Sequence, residues 1–131
     1  MTEGLADTSV WIAAEVGREL DREVLPDLLR ISAITIGELQ AGVLAARDPA
    51  AMTSRLQTLQ LAQEIEPLPV DAAVAREWAL LRIEVARAGR KVNVNDLWIA
   101  ATARANRLPV VTKDGDFSVL AELGLIDVID V

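Results

Sequence analysis

The chain has 131 residues, 52% of them hydrophobic, with 13 basic against 20 acidic side chains and a net charge of −7. That is the length of one domain spanning 1–131, with an aliphatic, helix-forming composition in which Trp11, Trp78, Trp98 and Phe117 are the only aromatic residues. Histidine and cysteine are absent, which excludes Ser-His-Asp and Cys-His nucleophiles, Cys/His zinc sites and imidazole acid–base chemistry. Carboxylates remain as the side chains suited to holding a metal or moving protons near neutral pH. The acid excess argues against a nucleic-acid binder that relies on bulk positive charge, although bound divalent cations would invert the local field. The N-terminus lacks the basic start and apolar run of a signal peptide, and charges interrupt every stretch approaching the ~20 apolar residues of a membrane span. The cytoplasm is therefore the expected location, with no membrane contact.

Along the chain, strand-like and helical patterns alternate, an α/β rhythm. A strand around Leu5 to Asp7 leads into a helix from about Ser9 to Ala14, and a charged helical stretch should then run toward Pro26. Leu29 to Ser32 reads as the second strand. Thr35-Ile36-Gly37-Glu38 matches the Ser/Thr-x-x-Glu capping box, predicting a helix toward Ala46. Asp48-Pro49 should open the next helix, to Ile65, and Pro67 and Pro69 bracket a short edge strand. Asp71 is expected to cap a long helix over Ala72 to Ala88, with Gly89 in the left-handed position beyond its end. Asn93 is placed to cap a helix over Val94 to Ala105, with Asp96 in its first turn. Leu108 to Thr112 reads as a buried strand of a parallel sheet, and Ile126 to Val131 as the last strand. Strands joined through helices predict a mostly parallel central sheet flanked by helices, with its ligand crevice beyond the carboxyl ends of the strands.

Asp7, Glu38, Asp96, Asp114 and Asp116 each sit where a strand pattern gives way to a helix or turn. Singly, each has a local explanation: Asp7 as a helix N-cap, Glu38 as the arm of its capping box, Asp96 facing a helix dipole, and Asp114 with Asp116 as turn formers. Together they recur at the junctions that a parallel sheet gathers at one edge. Carboxylates converging there would repel one another by roughly 4 kcal/mol per close pair at an effective dielectric near 20, and a divalent cation is the natural remedy. An imidazole-free, thiolate-free set suits Mg²⁺ or Mn²⁺ better than zinc.

The blocks Asp7-Thr8-Ser9, Glu38-Leu39, Asn95-Asp96-Leu97-Trp98-Ile99-Ala100-Ala101 and Thr112-Lys113-Asp114-Gly115-Asp116-Phe117 resemble, in order and spacing, the four signature blocks of PIN-domain ribonucleases. The likeness covers nearly the whole chain, and the small size and the Ile99-Ala100-Ala101 continuation are most similar to VapC toxins of type II toxin–antitoxin pairs. The resemblance implies that Asp7, Glu38, Asp96 and Asp114 are catalytic metal-coordinating acids, with Asp116 as an accessory ligand. It also puts the hydroxyls of Thr8, Ser9 and Thr112 beside the metal. The activity implied is endonucleolytic hydrolysis of RNA, with a structured cellular RNA such as a tRNA or an rRNA loop as substrate. The chemistry would be that of a metal-activated water, with any second cation ~3.5–4 Å from the first. Implied partners are a second copy of the chain and a small VapB-like antitoxin, through which alone DNA would be contacted. The tryptophans and Leu/Val/Ile-rich helices are expected to supply apolar interface.

Basic residues flank the site in sequence. Arg82, Arg87, Arg90 and Lys91 precede Asp96, and Arg104, Arg107 and Lys113 lie between Asp96 and Asp114. Arg87, Arg90, Lys91 and Lys113 are the candidate phosphate contacts, and solvated helix faces explain the same charges. Three rival readings fare differently. A response-regulator-like domain needs an acidic pair after its first strand, where this chain has Ala6-Asp7. A haloacid-dehalogenase-like phosphatase needs Asp-x-Asp, and Ser9 stands in the second position. A non-catalytic PIN-like interaction module remains open.

Overall fold

The alternation of strands and helices resolves into four short strands and six helices. A computed structural model describes residues 1–131. β1 (Glu3–Ala6) leads into α1 (Thr8–Glu15), and β2 (Leu28–Arg30) is followed by four helices in succession. These are α2 (Ala33–Leu44), α3 (Pro49–Ala62), α4 (Ala72–Arg87) and α5 (Val94–Ala105). Then come β3 (Val110–Thr112), α6 (Ser118–Glu122) and β4 (Val128–Asp130). The sheet order is β2-β1-β3-β4 and every pairing is parallel. No helix is long and apolar enough to cross a membrane.

From β1 the chain proceeds outward to β2 on one side, whereas β3 and β4 lie on the other, so the strand order reverses between β1 and β3. That reversal opens the crevice in which sheets of this kind bind ligands. Leu5 pairs with Val110 and Ala6 with Val111, and Asp7 N donates to Val111 O at 2.9 Å. Asp7 and Thr112 therefore leave the sheet side by side.

The main core joins the sheet to α4, α5 and α6 through Leu5, Val74, Leu81, Ile99, Val110, Phe117 and Leu120, all essentially inaccessible to solvent. Ala100, Ala101 and Ala103 are fully buried on α5, and their small side chains let that helix approach its neighbours closely. A second cluster of Ile31, Leu39, Val43, Leu59 and Ala62 joins α2 to α3. Ala6, Val10, Val111 and Val131 form a third, with α1. In β1, a Cβ on Gly4 would stand 2.5 Å from Val111 Cγ2 and 3.0 Å from Pro26 Cγ, so only glycine lets the two strands and the Pro26 loop close up.

Several local signals act as the sequence suggests. Asp48 caps α3 by accepting from Ala51 N, with Pro49 in the first turn, and Asp71 caps α4 by accepting from Val74 N. Asn93 caps α5, accepting from Asn95 N and Asp96 N, and Gly89 has φ +68°. Others differ. The cap of α2 is Ser32, whose hydroxyl accepts from Thr35 N at 3.0 Å; Glu38 lies past the first turn, so the Thr35–Glu38 capping box does not form. The charged stretch after α1 is not helical, because Gly17 turns into the left-handed region at φ +76° and residues 18–27 run irregularly to β2. The Pro67–Pro69 strand reduces to one bridge, Ser32 to Leu68, as two prolines leave few N–H groups for a ladder. α6 carries no sequence signal comparable to the other helices. Trp78 and Trp98 stack on each other at 4.7 Å and 7° between planes and are half-buried, so they join α4 to α5 instead of forming an open face.

Gly4→Ala should cost about 1–3 kcal/mol, the usual penalty of an overpacked core. Urea unfolding checks it: the same substitution in a Val111→Ala background, where the opposing methyl is gone, should cost much less.

Candidate metal centre

The parallel sheet delivers Asp7 from the end of β1 and Thr112 and Asp114 from the end of β3, while α2 carries Glu38 and the first turn of α5 carries Asp96. Asp7 is 3% exposed. It occupies the N-cap position of α1, yet its side chain makes no capping hydrogen bond. Instead it accepts from Ser9 Oγ at 2.6 Å. The capping explanation fails for Asp7, as it does for Glu38.

Two hydroxyl systems hold the acids. In the first, Ser9 Oγ stands 3.3 Å from Thr112 Oγ1 and accepts from Lys113 N at 2.9 Å, while Thr112 Oγ1 accepts from Asp114 N at 3.3 Å. The β3–α6 loop is thereby tied to Asp7. In the second, Thr8 Oγ1 donates to Glu38 Oε1 at 2.7 Å. Thr8 Oγ1 also faces Thr35 Oγ1 at 3.2 Å, where Thr35 is the acceptor, so the Thr8 proton is shared between the carboxylate and that hydroxyl. Ser32 Oγ lies 3.3 Å from Thr35 Oγ1 and donates to it. Ser32 and Thr35, both 0% exposed, thus form a buried chain through Thr8 to Glu38. Sequence reading missed both as site residues, and the one signal, Ser-x-x-Thr ahead of Glu38, reads as helix capping.

The electrostatics show which acids share a space. Burial raises the Asp96 carboxyl from the ordinary 3.8 to about 7, and the negative charges of Asp116, Glu38, Asp7 and Asp114 all push the same way. Asp7 is raised to about 6, chiefly by burial and further by Asp114, against the opposing hydrogen bond from Ser9 and the nearby Thr112 hydroxyl and Val10 N–H. Asp116 is raised by burial, by the charge of Asp114 and by a hydrogen bond with it. Its N–H caps Asp114 Oδ1 at 3.2 Å. All five acids therefore act on one region. No three of them lie at the spacing of a single coordination sphere, and Mg²⁺ asks only one or two protein carboxylates beside water and phosphate oxygens. The oxygen-only donor set fits such an ion.

The candidate phosphate contacts do not gather around the acids. Lys113 belongs to the site's own loop. Arg87 is paired with Glu84 at 3.3 Å on the exposed face of α4, and Arg90 reaches Glu122 at 3.2 Å. Lys91 is exposed beyond α4.

The PIN domain family model matches residues 5–123, and the chain belongs to the PIN-domain family. Within it the likeness is to the VapC branch. Over 128 residues, 98% of this chain and 95% of the relative, it is 47% identical to Ribonuclease VapC5 of Mycobacterium tuberculosis. It is 42% identical over 124 residues to Ribonuclease VapC4 of the same organism, covering 95% of both. The solved structure of VapBC-5, a member of the VapBC family of toxin–antitoxin systems from Mycobacterium tuberculosis, superposes with a TM-score of 0.92 at 44% identity over 100% of both chains. DNA-bound VapBC from Salmonella typhimurium superposes with a TM-score of 0.81 at 26% identity, over 99% of this chain and 98% of that one.

A carboxyl whose folded-state pKa is raised binds protons more tightly in the native state, so its stabilising contribution is present below about pH 4 and is lost as pH rises to about 7. The metal-free protein should therefore melt at a higher temperature at pH 5 than at pH 8, and Asp96→Asn should flatten that difference while raising the melting temperature at pH 8. An unchanged pH profile in calorimetry would contradict the shared field. Thr35→Val, which keeps shape and removes the hydroxyl, should weaken Mn²⁺ binding about tenfold, as loss of a supporting group does. Thr35→Ser should restore it in the same titration.

Proposed function

We propose that this chain is a divalent-metal-dependent endoribonuclease and the toxin of a toxin–antitoxin pair. The observation that carries the reading is the placement of Asp7 and Asp114 just past the adjacent ends of β1 and β3, with Glu38 on α2 and Asp96 in the first turn of α5, a gathering of oxygen ligands that suits a hard cation. Relatives named as ribonucleases, and a neighbour from the VapBC toxin–antitoxin systems, support RNA as the substrate and an antitoxin as the partner.

Mg²⁺ or Mn²⁺, when bound, supplies the Lewis acid that activates water and steadies charge on the scissile phosphate. Asp7 and Asp96 are the principal ligands. The Ser9 hydroxyl fixes the carboxylate of Asp7, so little ordering is left to do on binding. Glu38, oriented by Thr8, either joins the ligands or accepts the proton of the attacking water. Asp114 completes the set through a loop that Thr112 and Ser9 hold in place, with Asp116 as its accessory. Lys113, in that loop, contacts a phosphate oxygen.

The antitoxin would lie along α1, α2 and α3, where Ile12, Val16, Leu44, Met52, Leu56 and Leu61 are all more than 40% exposed. A cavity of about 340 Å³ there is lined by Ile12, Val16, Leu39 and Arg55 and reaches Glu38. An arginine of the antitoxin entering it would pair with the acids by charge-assisted hydrogen bonds and compete with the metal. Two copies of the chain would meet through Leu80 and Ile83, exposed one turn apart on α4.

Asp7→Asn and Asp96→Asn should stay folded by circular dichroism yet lose at least about 100-fold of Mn²⁺-dependent RNA cleavage, beyond the ~10–100-fold typical of a supporting group. Folded variants that cleave normally, or a wild-type melting temperature that ignores Mn²⁺, would favour the non-catalytic interaction module. Val16→Arg should leave cleavage intact while the protein encoded beside this gene no longer suppresses it. Light scattering should give a dimer, and Ile83→Glu a monomer.

A further inference from the structure

A cavity of about 530 Å³ runs between α4 and the start of α5, walled by Val85, Val92, Val94 and Leu97 and rimmed by Arg82, Arg90 and Lys91. No acidic residue lines it, in a chain where acids outnumber bases 20 to 13. We propose that it is a subsite for one unpaired nucleotide of the RNA, its base against the apolar wall and its phosphate on the three cations. The proposal rests on the ribonuclease reading and deepens it by naming single-stranded RNA as the form taken.

Size, polarity and position all point this way. The volume falls in the ~300–1,000 Å³ range of small-ligand sites. An aliphatic wall under a cationic rim complements a ligand that is flat and apolar at one end and anionic at the other, whereas an apolar protein segment has no use for three cations. Arg82 is the residue that sequence reading left out of the RNA contacts. Its guanidinium lies 5.4 Å from the centroid of Trp78, and Trp78 in turn stacks on Trp98. That column holds the guanidinium in place, and arginine planes are surfaces on which unpaired bases stack. Arg90 has only an exposed partner, Glu122, at 3.2 Å, a pairing of little strength that a phosphate would displace. Val94 and Leu97 lie in the same first turn of α5 as Asp96, so a nucleotide in the cavity lies within one helical turn of that acid along the chain. A base locked in a duplex could not enter.

The test uses Trp11→Phe protein, so that emission comes from Trp78 and Trp98 alone, in chelator and low salt. A single-stranded RNA hexamer should quench that emission. Lys91→Glu or Arg82→Ala should raise its Kd at least tenfold, and a hexamer of abasic ribose-phosphate should bind at least tenfold more weakly. With Mn²⁺ present, Lys91→Glu should raise KM far more than it lowers kcat and leave Mn²⁺ affinity unchanged. Equal binding of the abasic hexamer, or RNA affinity indifferent to Arg82 and Lys91, overturns the subsite. So does Val94→Glu breaking a dimer in light scattering without changing RNA affinity, which would make the cavity a contact between copies. If the wild type cleaves no RNA with Mn²⁺ while the quench and its loss on Lys91→Glu persist, the ribonuclease reading fails and the nucleotide site stands.

Discussion

The parallel pairing of β1 with β3 is the constraint on which the site depends. By setting Ala6 against Val111, it brings Asp7 out of the sheet next to Thr112, at the point where the strand order reverses. Everything else at the carboxyl edge is fitted to that pair. Ser9 binds Asp7 on one side and the β3–α6 loop on the other, so a slip of one residue between the strands would turn Asp7 toward the opposite face and part it from Thr112. Gly4 guards the same register from within β1, because no side chain fits between it and Val111.

Within this frame two forces oppose each other. Burial and mutual repulsion drive the acids toward protonation, most strongly at Asp96, while the hydroxyls of Ser9 and Thr112 favour the charged form of Asp7. The outcome is a carboxylate that is ordered without being neutralised, with its charge available to a cation. Glu38 is ordered differently, through a buried line of hydroxyls that begins at Ser32 and ends at Thr8. Thr35 accepts from both Ser32 and Thr8, and Thr8 donates on to the acid, so the buried hydroxyls hold Thr8 in place under Glu38. Ser32 caps α2 and anchors this line with the same oxygen, so the helix start and the aim of Glu38 are set together.

The parts of this structure governed by neighbours in sequence were the most legible. Asp48, Asp71 and Asn93 cap helices because a cap is a contact across three residues, and the alternation of apolar runs with helices was enough to expect a parallel sheet. The five acids were visible because composition left few other groups with chemistry. What escaped was tertiary. Thr35 with Glu38 satisfies the capping-box pattern, but Ser32 lies three residues earlier, just past β2, where the bridge to Leu68 fixes the start of the helix. Ser32 and Thr35 look like surface formers of a helix start until the fold buries them under Thr8. Arg82 is one of several arginines in sequence, and becomes distinctive only where the Trp78–Trp98 stack pins it. α6 is five residues long, and Phe117 and Leu120 hold it by entering the core.

The acids are drawn from opposite ends of the chain, and β3, which carries Thr112 and leads directly into Asp114, inserts between two strands at the middle of the sheet. No single element holds more than one of the acids Asp7, Glu38 and Asp96. On the ribosome, β1, β2 and the first five helices emerge before β3 exists, so a growing chain presents an open sheet edge and an incomplete acid set until its last quarter has been made. The site is therefore incomplete through most of the chain's own synthesis, and a chain cut short before Thr112 lacks the strand that completes it.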